Sequence, residues 1–166
     1  ATIAIGGALR VCPDSILNMQ APVGKEIGTA GYYAAIVDHS IRAELTVTER
    51  TGMARYTFSS KEKQGTVIIG GGVAATSIQV AAIKITGPHS CEGYAEGGAF
   101  CGIPTPYKVY FVAEFDADAE SFGTWKEERL HANHTFAEGS HSGVYFTFPL
   151  KEGNQAVQYK IGVSYV

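Results

Sequence analysis

The sequence lacks the features that mark membrane proteins and nucleic-acid-binding proteins. No apolar run approaches the roughly 18 residues of a membrane helix, so no membrane span is expected. Lys and Arg number 13 against 16 Asp and Glu, and they form no basic stripe, so nucleic acid is not an expected partner. Charged residues make up only 17% of the chain and hydrophobic residues 45%. This composition is typical of a folded domain with a substantial core rather than of a disordered segment.

An alternation of apolar and polar side chains dominates the chain. It predicts β-strands with one buried face, because successive side chains of a strand point to opposite sides. The alternation is clearest over 41–47, 107–115, 144–148 and 157–165, and further strands are predicted at 32–37, 54–58, 65–69 and 77–85. Turn residues separate these segments, and no long helical period occurs. We therefore predict an all-β fold, a large two-sheet antiparallel β-sandwich of about ten strands, as one domain over residues 1–166. The first 30 residues are predicted to be irregular, with one helical turn or an irregular crossing at 15–19.

The three cysteines and one sequon bear on the compartment of the protein. Cys91 and Cys101 flank a stretch rich in Gly, Glu and Tyr that we interpret as a hairpin end. A disulfide there would stabilise the fold by about 2–3 kcal/mol, and the alternative is a pair of free, half-buried thiols. Cys12 is then left over. Asn133-His134-Thr135 is an N-glycosylation sequon. The sequon and the disulfide together favour a secreted or otherwise exported protein.

Glu49 and Arg50 follow the alternating segment that ends at Val47. By parity Glu49 would face inward, where a carboxylate has to be paired, solvated or protonated. One interpretation is a hydrogen-bonding or interface group at the edge of the sandwich. The interpretation that we favour is an ion pair with Arg42 or Arg55, or a position just outside the core.

The remaining chemical groups do not assemble into an active site. Trp125 is either a platform on which a sugar ring stacks or the Trp that fills a sandwich core or interface. The five histidines lack the spacing of a zinc site, and the acidic residues at 116, 118 and 120 lack the pattern of an EF-hand loop. No spacing singles out a carboxylate pair for glycoside hydrolysis. We predict no metal site and no catalytic residue in this chain.

Four separated segments, in the expected order, resemble one family. Residues 44–58, ELTVTERTGMARYTF, resemble the signature ELTATERxGxHRYTFP of glycoside hydrolase family 92 α-mannosidases. GYY at 31–33 resembles the PGYY that precedes it, YKVYFVAEF at 107–115 resembles YxVYFxAEF, and KIGVSYV at 160–166 resembles KVGISYVS. Ala54 stands where the signature has His. The family segments GGHGHTFPGA, PFGMVQ and FSHTHLSGTG are absent.

The resemblance implies the amino-terminal β-sandwich of a two-domain enzyme, a supersandwich like that of galactose mutarotase. In the family this domain packs on a carboxy-terminal (α/α)6 domain, and the active site and a calcium ion lie at the junction. The family hydrolyses terminal α-mannosides of glycans with inversion. Its acid and base belong to the helical domain, which this chain would lack. Because the three family segments are absent, the chain would also be incomplete at its amino-terminal edge.

Three functions are compatible with the sequence. The first is the scaffold and substrate-pocket domain of a calcium-dependent inverting exo-α-mannosidase that trims mannose-containing glycans, including N-glycans, and is inactive alone. Glu49, Arg50 and Trp125 are its weak candidates for substrate or interface contacts. The second is a stand-alone carbohydrate-binding sandwich with Trp125 or Tyr94 as its platform, and the third is a secreted structural or adhesive sandwich. A large exposed apolar patch would favour the first, because it would mark the interface with a missing domain.

Overall fold

The computed structural model describes residues 2–10, 12–13, 22–70, 77–98, 102, 105–152 and 155–166. Within these residues the chain forms fourteen β-strands and no helix. The first seven strands are β1 (Thr2–Gly6), β2 (Val23–Thr29), β3 (Tyr32–Val37), β4 (Ile41–Val47), β5 (Thr51–Thr57), β6 (Gln64–Gly70) and β7 (Ser77–Gly87). The other seven are β8 (Ser90–Gly98), β9 (Tyr107–Phe115), β10 (Ser121–Lys126), β11 (Arg129–Ala132), β12 (Phe136–Gly139), β13 (Ser142–Pro149) and β14 (Ala156–Ser164).

The strands form two antiparallel sheets. The smaller sheet has five strands in the order β1-β6-β13-β10-β11, and the larger has nine in the order β12-β7-β8-β9-β14-β5-β4-β3-β2. A two-sheet antiparallel sandwich was predicted from the alternation, and the structure confirms it. The described part of the chain has fourteen strands rather than about ten, because the polar strands β2, β11 and β12 carry little alternation.

The amino-terminal region departs from its prediction. Residues 2–6 and 23–29 are strands β1 and β2 rather than irregular chain. β1 pairs with β6 at the edge of the smaller sheet, and β2 pairs with β3 at the edge of the larger one. The segment 15–19, for which a helical turn or an irregular crossing was predicted, lies outside the described residues.

The main core lies between the sheets and combines aliphatic side chains with a group of stacked and tilted aromatic rings. The Phe115 ring centroid is 4.9 Å from those of Phe146 and Phe148, so β9 of the larger sheet packs directly on β13 of the smaller. The Tyr159 hydroxyl lies 2.9 Å from the Thr2 hydroxyl, which gives the buried phenol a polar partner across the sheets. This core fixes the stacking of the two sheets.

A second, smaller cluster covers the outer side of the five-stranded sheet. Trp125, Ile68 and Tyr145 form its buried centre, and Leu9 and Cys12 are among the residues that pack on it. Leu9 and Cys12 therefore contribute to a partial third layer on this side. The smaller sheet is buried on both faces, which explains the continuously buried run along β6 and β13.

Candidate functional site

Glu49 and Arg50 lie in the turn between β4 and β5, where both side chains are exposed. The inward orientation predicted for Glu49 is wrong, because the strand ends at Val47 and the chain reverses. The Thr48 amide donates to the Thr51 carbonyl at 2.8 Å and closes this turn. The Arg50 carbonyl accepts from the Val163 amide at 2.9 Å, so the turn is tied to the end of β14.

Neither Arg42 nor Arg55 pairs with Glu49. The guanidinium of Arg42 lies 3.3 Å from the Glu44 carboxylate, and Arg55 Nε donates to Gln158 Oε1 at 3.0 Å. The ion pair predicted for Glu49 is therefore not formed, and its exposed position fits a residue just outside the core, while the interpretation as an interface group stays a prediction.

A polar network crosses the outer face of the larger sheet from β3 to the end of β9. Tyr32 donates from its hydroxyl to Glu44 Oε1 at 2.8 Å. Gln158 donates through its backbone amide to Asp116 Oδ1 and through its side-chain amide to Asp116 Oδ2, both at 3.0 Å. Arg55 connects the two halves, because it lies opposite Glu44 in the ladder and donates from Nε to Gln158 Oε1 at 3.0 Å. The network borders two shallow depressions of about 230 and 150 Å³ that share Met53 and Gln158.

The electrostatics of this network suit recognition rather than proton transfer. The hydrogen bond from Tyr32, and then that from Arg42, hold the pKa of Glu44 below its ordinary value. A general acid at neutral pH needs a carboxyl whose pKa is raised, which is the opposite shift. Glu44 is therefore an ionised hydrogen-bond acceptor and is unsuited to act as a general acid.

Trp125 is completely buried on β10, in the cluster on the outer side of the smaller sheet. Its indole lies against Gly143 of β13, the residue directly opposite in the ladder. The interpretation of Trp125 as a sugar-stacking platform is therefore wrong, because neither face of the ring is available to a ligand. The other interpretation, a Trp that fills a core, is the one that the structure shows.

Cys91 is a free thiol that is fully buried in the main core, and burial raises its pKa to about 12. The stretch that follows it is strand β8 rather than the predicted hairpin end. Cys91 pairs with Ala113, at the opposite end of β8 from Gly98, beyond which the chain leads to residue 101. A free Cys91 speaks against the predicted disulfide with Cys101, and Cys101 itself lies outside the described residues. Cys12 donates its thiol to the Glu127 carbonyl at 2.9 Å.

Asn133 lies in an exposed turn after β11, with φ of 61°. Its backbone amide donates to the Phe122 carbonyl at 3.0 Å, and its side chain is exposed to solvent. The sequon is thus accessible, and its glycosylation stays a prediction.

The acidic residues after β9 form hydrogen bonds within the domain. Asp116 caps Gln158, and Asp118 Oδ1 lies 2.7 Å from His89 Nδ1. Among the residues that the structure describes, no group of three or more His, Cys, Asp or Glu side chains is placed to hold a metal ion. The same residues contain no helix with the length and apolarity of a membrane span.

Sequence reasoning missed an exposed apolar surface at one end of the larger sheet. On β4 the inward-facing residues lose cover along the strand, from Ile41 (1% exposed) to Leu45 (37%) and Val47 (65%). On β14, which runs in the same direction as β4, exposure rises from Val157 (2%) to Val163 (39%). Alternation predicted the face of each of these side chains correctly. It carries no information about where the covering sheet stops.

The fold defines the structural class of the chain. The described residues form a large two-sheet antiparallel β-sandwich domain.

The comparisons give the family. The family model for the glycosyl hydrolase family 92 N-terminal domain matches residues 10–164. The chain belongs to this family as an N-terminal domain, which confirms the resemblance seen in its sequence motifs. No curated protein matches the chain.

Solved structures share the fold. The inverting mannosidase BT2199 of family GH92 from Bacteroides thetaiotaomicron matches 99% of this chain with a TM-score of 0.82 and 18% identity. The family GH92 α-mannosidase BT3965 from the same organism matches 99% with a TM-score of 0.81 and 20% identity. The gh92 family glycosyl hydrolase ccman5 matches 87% with a TM-score of 0.74 and 18% identity. This chain spans 21%, 24% and 20% of those three chains, respectively.

Proposed function

We propose that the complete protein is a calcium-dependent, inverting exo-α-mannosidase that removes terminal α-mannose from glycans outside the cytoplasm. In this proposal the present chain is the sandwich that supports a carboxy-terminal (α/α)6 catalytic domain, and it is inactive by itself. The observation that carries the proposal is the family match over residues 10–164. Solved chains of the same fold that are four to five times as long support a large further part.

The chemistry of the site agrees with a division of labour between two domains. Inverting hydrolysis needs an acid and a base roughly 6.5–9.5 Å apart with a water between them. Glu44, the carboxylate at the centre of the outer network, has a lowered pKa and therefore cannot serve as the acid. We assign both catalytic carboxylates to the helical domain, and the sandwich contributes binding and positioning.

We assign calcium binding, like the catalytic carboxylates, to parts of the protein outside the described residues. Calcium takes six to eight oxygen ligands, usually with several carboxylates among them. The described residues place no such set together, and Asp116 and Asp118 are engaged with Gln158 and His89. The residues of this chain that the structure describes do not fit a calcium site, so no step is assigned to calcium here.

The two other candidate functions have less support. The stand-alone sugar-binding module would need Trp125 or Tyr94 as a stacking platform. Trp125 is buried, and the Tyr94 ring is covered on one side by Lys108 Nζ, 4.4 Å from its centroid. A purely structural or adhesive sandwich leaves no reason for Leu45 and Val47 to stay apolar while exposed.

The test is a mannosidase assay on the full-length protein and on the 166-residue chain. We expect release of mannose from α-linked mannosides by the full-length protein, loss of this activity with a calcium chelator, and none with the short chain. Full activity of the short chain would refute the division of labour, and an inactive full-length protein would refute the mannosidase assignment.

A further inference from the structure

The outer face of the larger sheet carries a small apolar surface on its central strands. Tyr110 and Val112 of β9 alternate with the buried Ala113 and point to this face, where they are 43% and 56% exposed. Gly162 of β14 lies directly opposite Val112, and a Cβ built on Gly162 would meet no atom within 4 Å. A flat group can therefore lie across β9 and β14 beside the Tyr110 ring. We call Tyr110, Val112 and Gly162 the outer platform.

The Tyr110 ring is held in position by its neighbours on β8 and β9. Tyr94 lies directly opposite Tyr110 in the ladder, with the ring centroids 6.1 Å apart and the ring planes inclined by 55°. Lys108 Nζ lies 4.4 Å from the Tyr94 centroid and 3.1 Å from Glu96 Oε2, so that the supporting ring is itself fixed. A side chain that is ordered before a ligand arrives loses less conformational entropy on binding. Tyr110, the more exposed of the two rings, is therefore the ring that a ligand can contact.

Charged groups surround the outer platform. Glu92 of β8 lies opposite Val112, and Glu114 follows two residues after Val112 on β9. Lys160 of β14 lies opposite Glu114, and all three charged side chains are exposed. Neither Glu92 nor Glu114 makes a hydrogen bond or an ion pair with another residue that the structure describes, unlike the carboxylate of Glu96. Their oxygens are available to accept from hydroxyl groups, and such bonds to a carboxylate are roughly twice as strong as neutral ones.

This combination of groups matches the chemistry of a carbohydrate. A pyranose ring has a face of C–H groups that can lie on an aromatic ring, and a rim of hydroxyls that need hydrogen-bond partners. Tyr110 and Val112 offer the first kind of contact, and the carboxylates of Glu92 and Glu114 offer the second. Neighbouring strands are about 4.8 Å apart, so the width from β8 to β14 is about 10 Å, which accommodates two linked sugar rings.

Other classes of partner fit this surface less well. A stable protein interface buries about 800 Å² on each partner and is depleted of charge at its core, whereas the apolar part here is one ring, one valine and one glycine. Nucleic acid is disfavoured because the carboxylates would repel its phosphates. We propose that the outer platform binds a neutral, mannose-containing glycan, with Tyr110 stacking on a sugar ring and Glu92 and Glu114 accepting from its hydroxyls. The choice of mannose rests on the proposed function, while the binding of a sugar rests on the residues of the platform.

Affinity electrophoresis of the full-length protein tests this site without any dependence on catalysis. The protein migrates through native gels that contain soluble α-mannan and a calcium chelator, and the retardation at several mannan concentrations gives the dissociation constant. We expect mannan to retard the wild type and dextran to leave its migration unchanged. Y110A should weaken mannan binding at least about tenfold, because a central aromatic side chain carries a large share of the binding energy at such a contact.

Four variants separate the platform from general effects of mutation. Y110F retains the ring and should bind within about twofold of the wild type. E92Q and E114Q retain a hydrogen-bond acceptor but lose its charge, so that each should weaken binding about threefold. F136A is the matched control and should bind like the wild type. Phe136 is a 55% exposed ring on the same face, but it lies on β12, three strand positions from β9.

Three results would overturn the inference: mannan binding that Y110A leaves unchanged, no retardation of the wild type, and equal retardation by dextran. A concentration-dependent dimer of the wild type that Y110A abolishes would mean that a second copy covers Tyr110, and it would overturn the inference as well. The mannosidase assay of the full-length protein is independent of these results. A protein that hydrolyses no mannoside but loses its mannan retardation in Y110A would refute the proposed function and support the platform, so the two failures are distinguishable.

Discussion

Gly143 on β13 is the position where the smaller sheet tolerates a side chain least. A Cβ built there would lie 2.4 Å from the Ile69 carbonyl oxygen on β6 and 2.6 Å from the indole nitrogen of Trp125. The carbonyl belongs to the backbone of the neighbouring strand, so it cannot rotate away. Overpacking of a well-packed interior costs about 1–3 kcal/mol, and a backbone clash puts G143A at the upper end of that range. For a chain of this size the expected fall in melting temperature is roughly 6–12 °C.

The matched control is Gly162 on β14, which also lies inside a sheet but where a Cβ would meet no atom within 4 Å. G162A should leave the free energy of unfolding unchanged or raise it by up to about 1 kcal/mol, since alanine restricts the unfolded chain. Urea unfolding of both variants, followed by tryptophan fluorescence, measures the difference. A further variant, W125F with G143A, should not recover the loss, because the Ile69 oxygen remains; since it lacks the chain's only tryptophan, its unfolding is followed by circular dichroism. G143A as stable as the wild type would refute the register of β6, β13 and β10.

Three further predictions concern two single groups, Cys91 and Asn133. Because burial raises the pKa of Cys91 to about 12, iodoacetamide at pH 8 should not alkylate Cys91 in the reduced native chain but should alkylate it in the denatured chain. Peptide mass spectrometry measures the labelling, and equal labelling of the two states would contradict the burial. Below the thiol pKa of the unfolded chain, the contribution of this group to the free energy of unfolding is fully present. It should fall as pH rises from about 9 towards 12, by at most about 1.4 kcal/mol per pH unit. Urea titrations across this range measure the fall, and C91A should remove it. Expression of the chain in a secretory host that glycosylates Asn-X-Thr should add a glycan at Asn133, which N133Q removes; an unmodified Asn133 would contradict its accessibility.

Period-2 alternation predicted the fold class and the facing of most side chains correctly, and the limits of that reading have physical causes. The stretch after Cys91 looked like a turn because it is rich in glycine. Gly93, however, lies within strand β8, where a Cβ would be 2.3 Å from the Ala82 carbonyl of β7. A glycine can mark a close approach of two strands as well as a turn, and the sequence alone does not distinguish them.

The positions of Trp125 and Glu49 depended on distant parts of the chain. Trp125 is covered by residues about 115 positions earlier, Leu9 and Cys12, and no local pattern reports such a layer. Glu49 continued the alternation in sequence, but the strand had already ended at Val47. Parity predicts which way a side chain points only while the strand lasts.

Strands β4 and β5 contribute side chains to both faces of the larger sheet. Along β4 and β5 the family signature places Leu45 and Val47 on the core side and Glu44 and Arg55 on the outer side. The outer residues complete a network whose charges are matched within the domain, so that face is self-sufficient in water. The core-side residues Leu45 and Val47 lie beyond the area that the smaller sheet covers, and they remain partly exposed. The proposed function, a sandwich that supports a second domain, would account for apolar side chains that stay exposed on the core side of the signature.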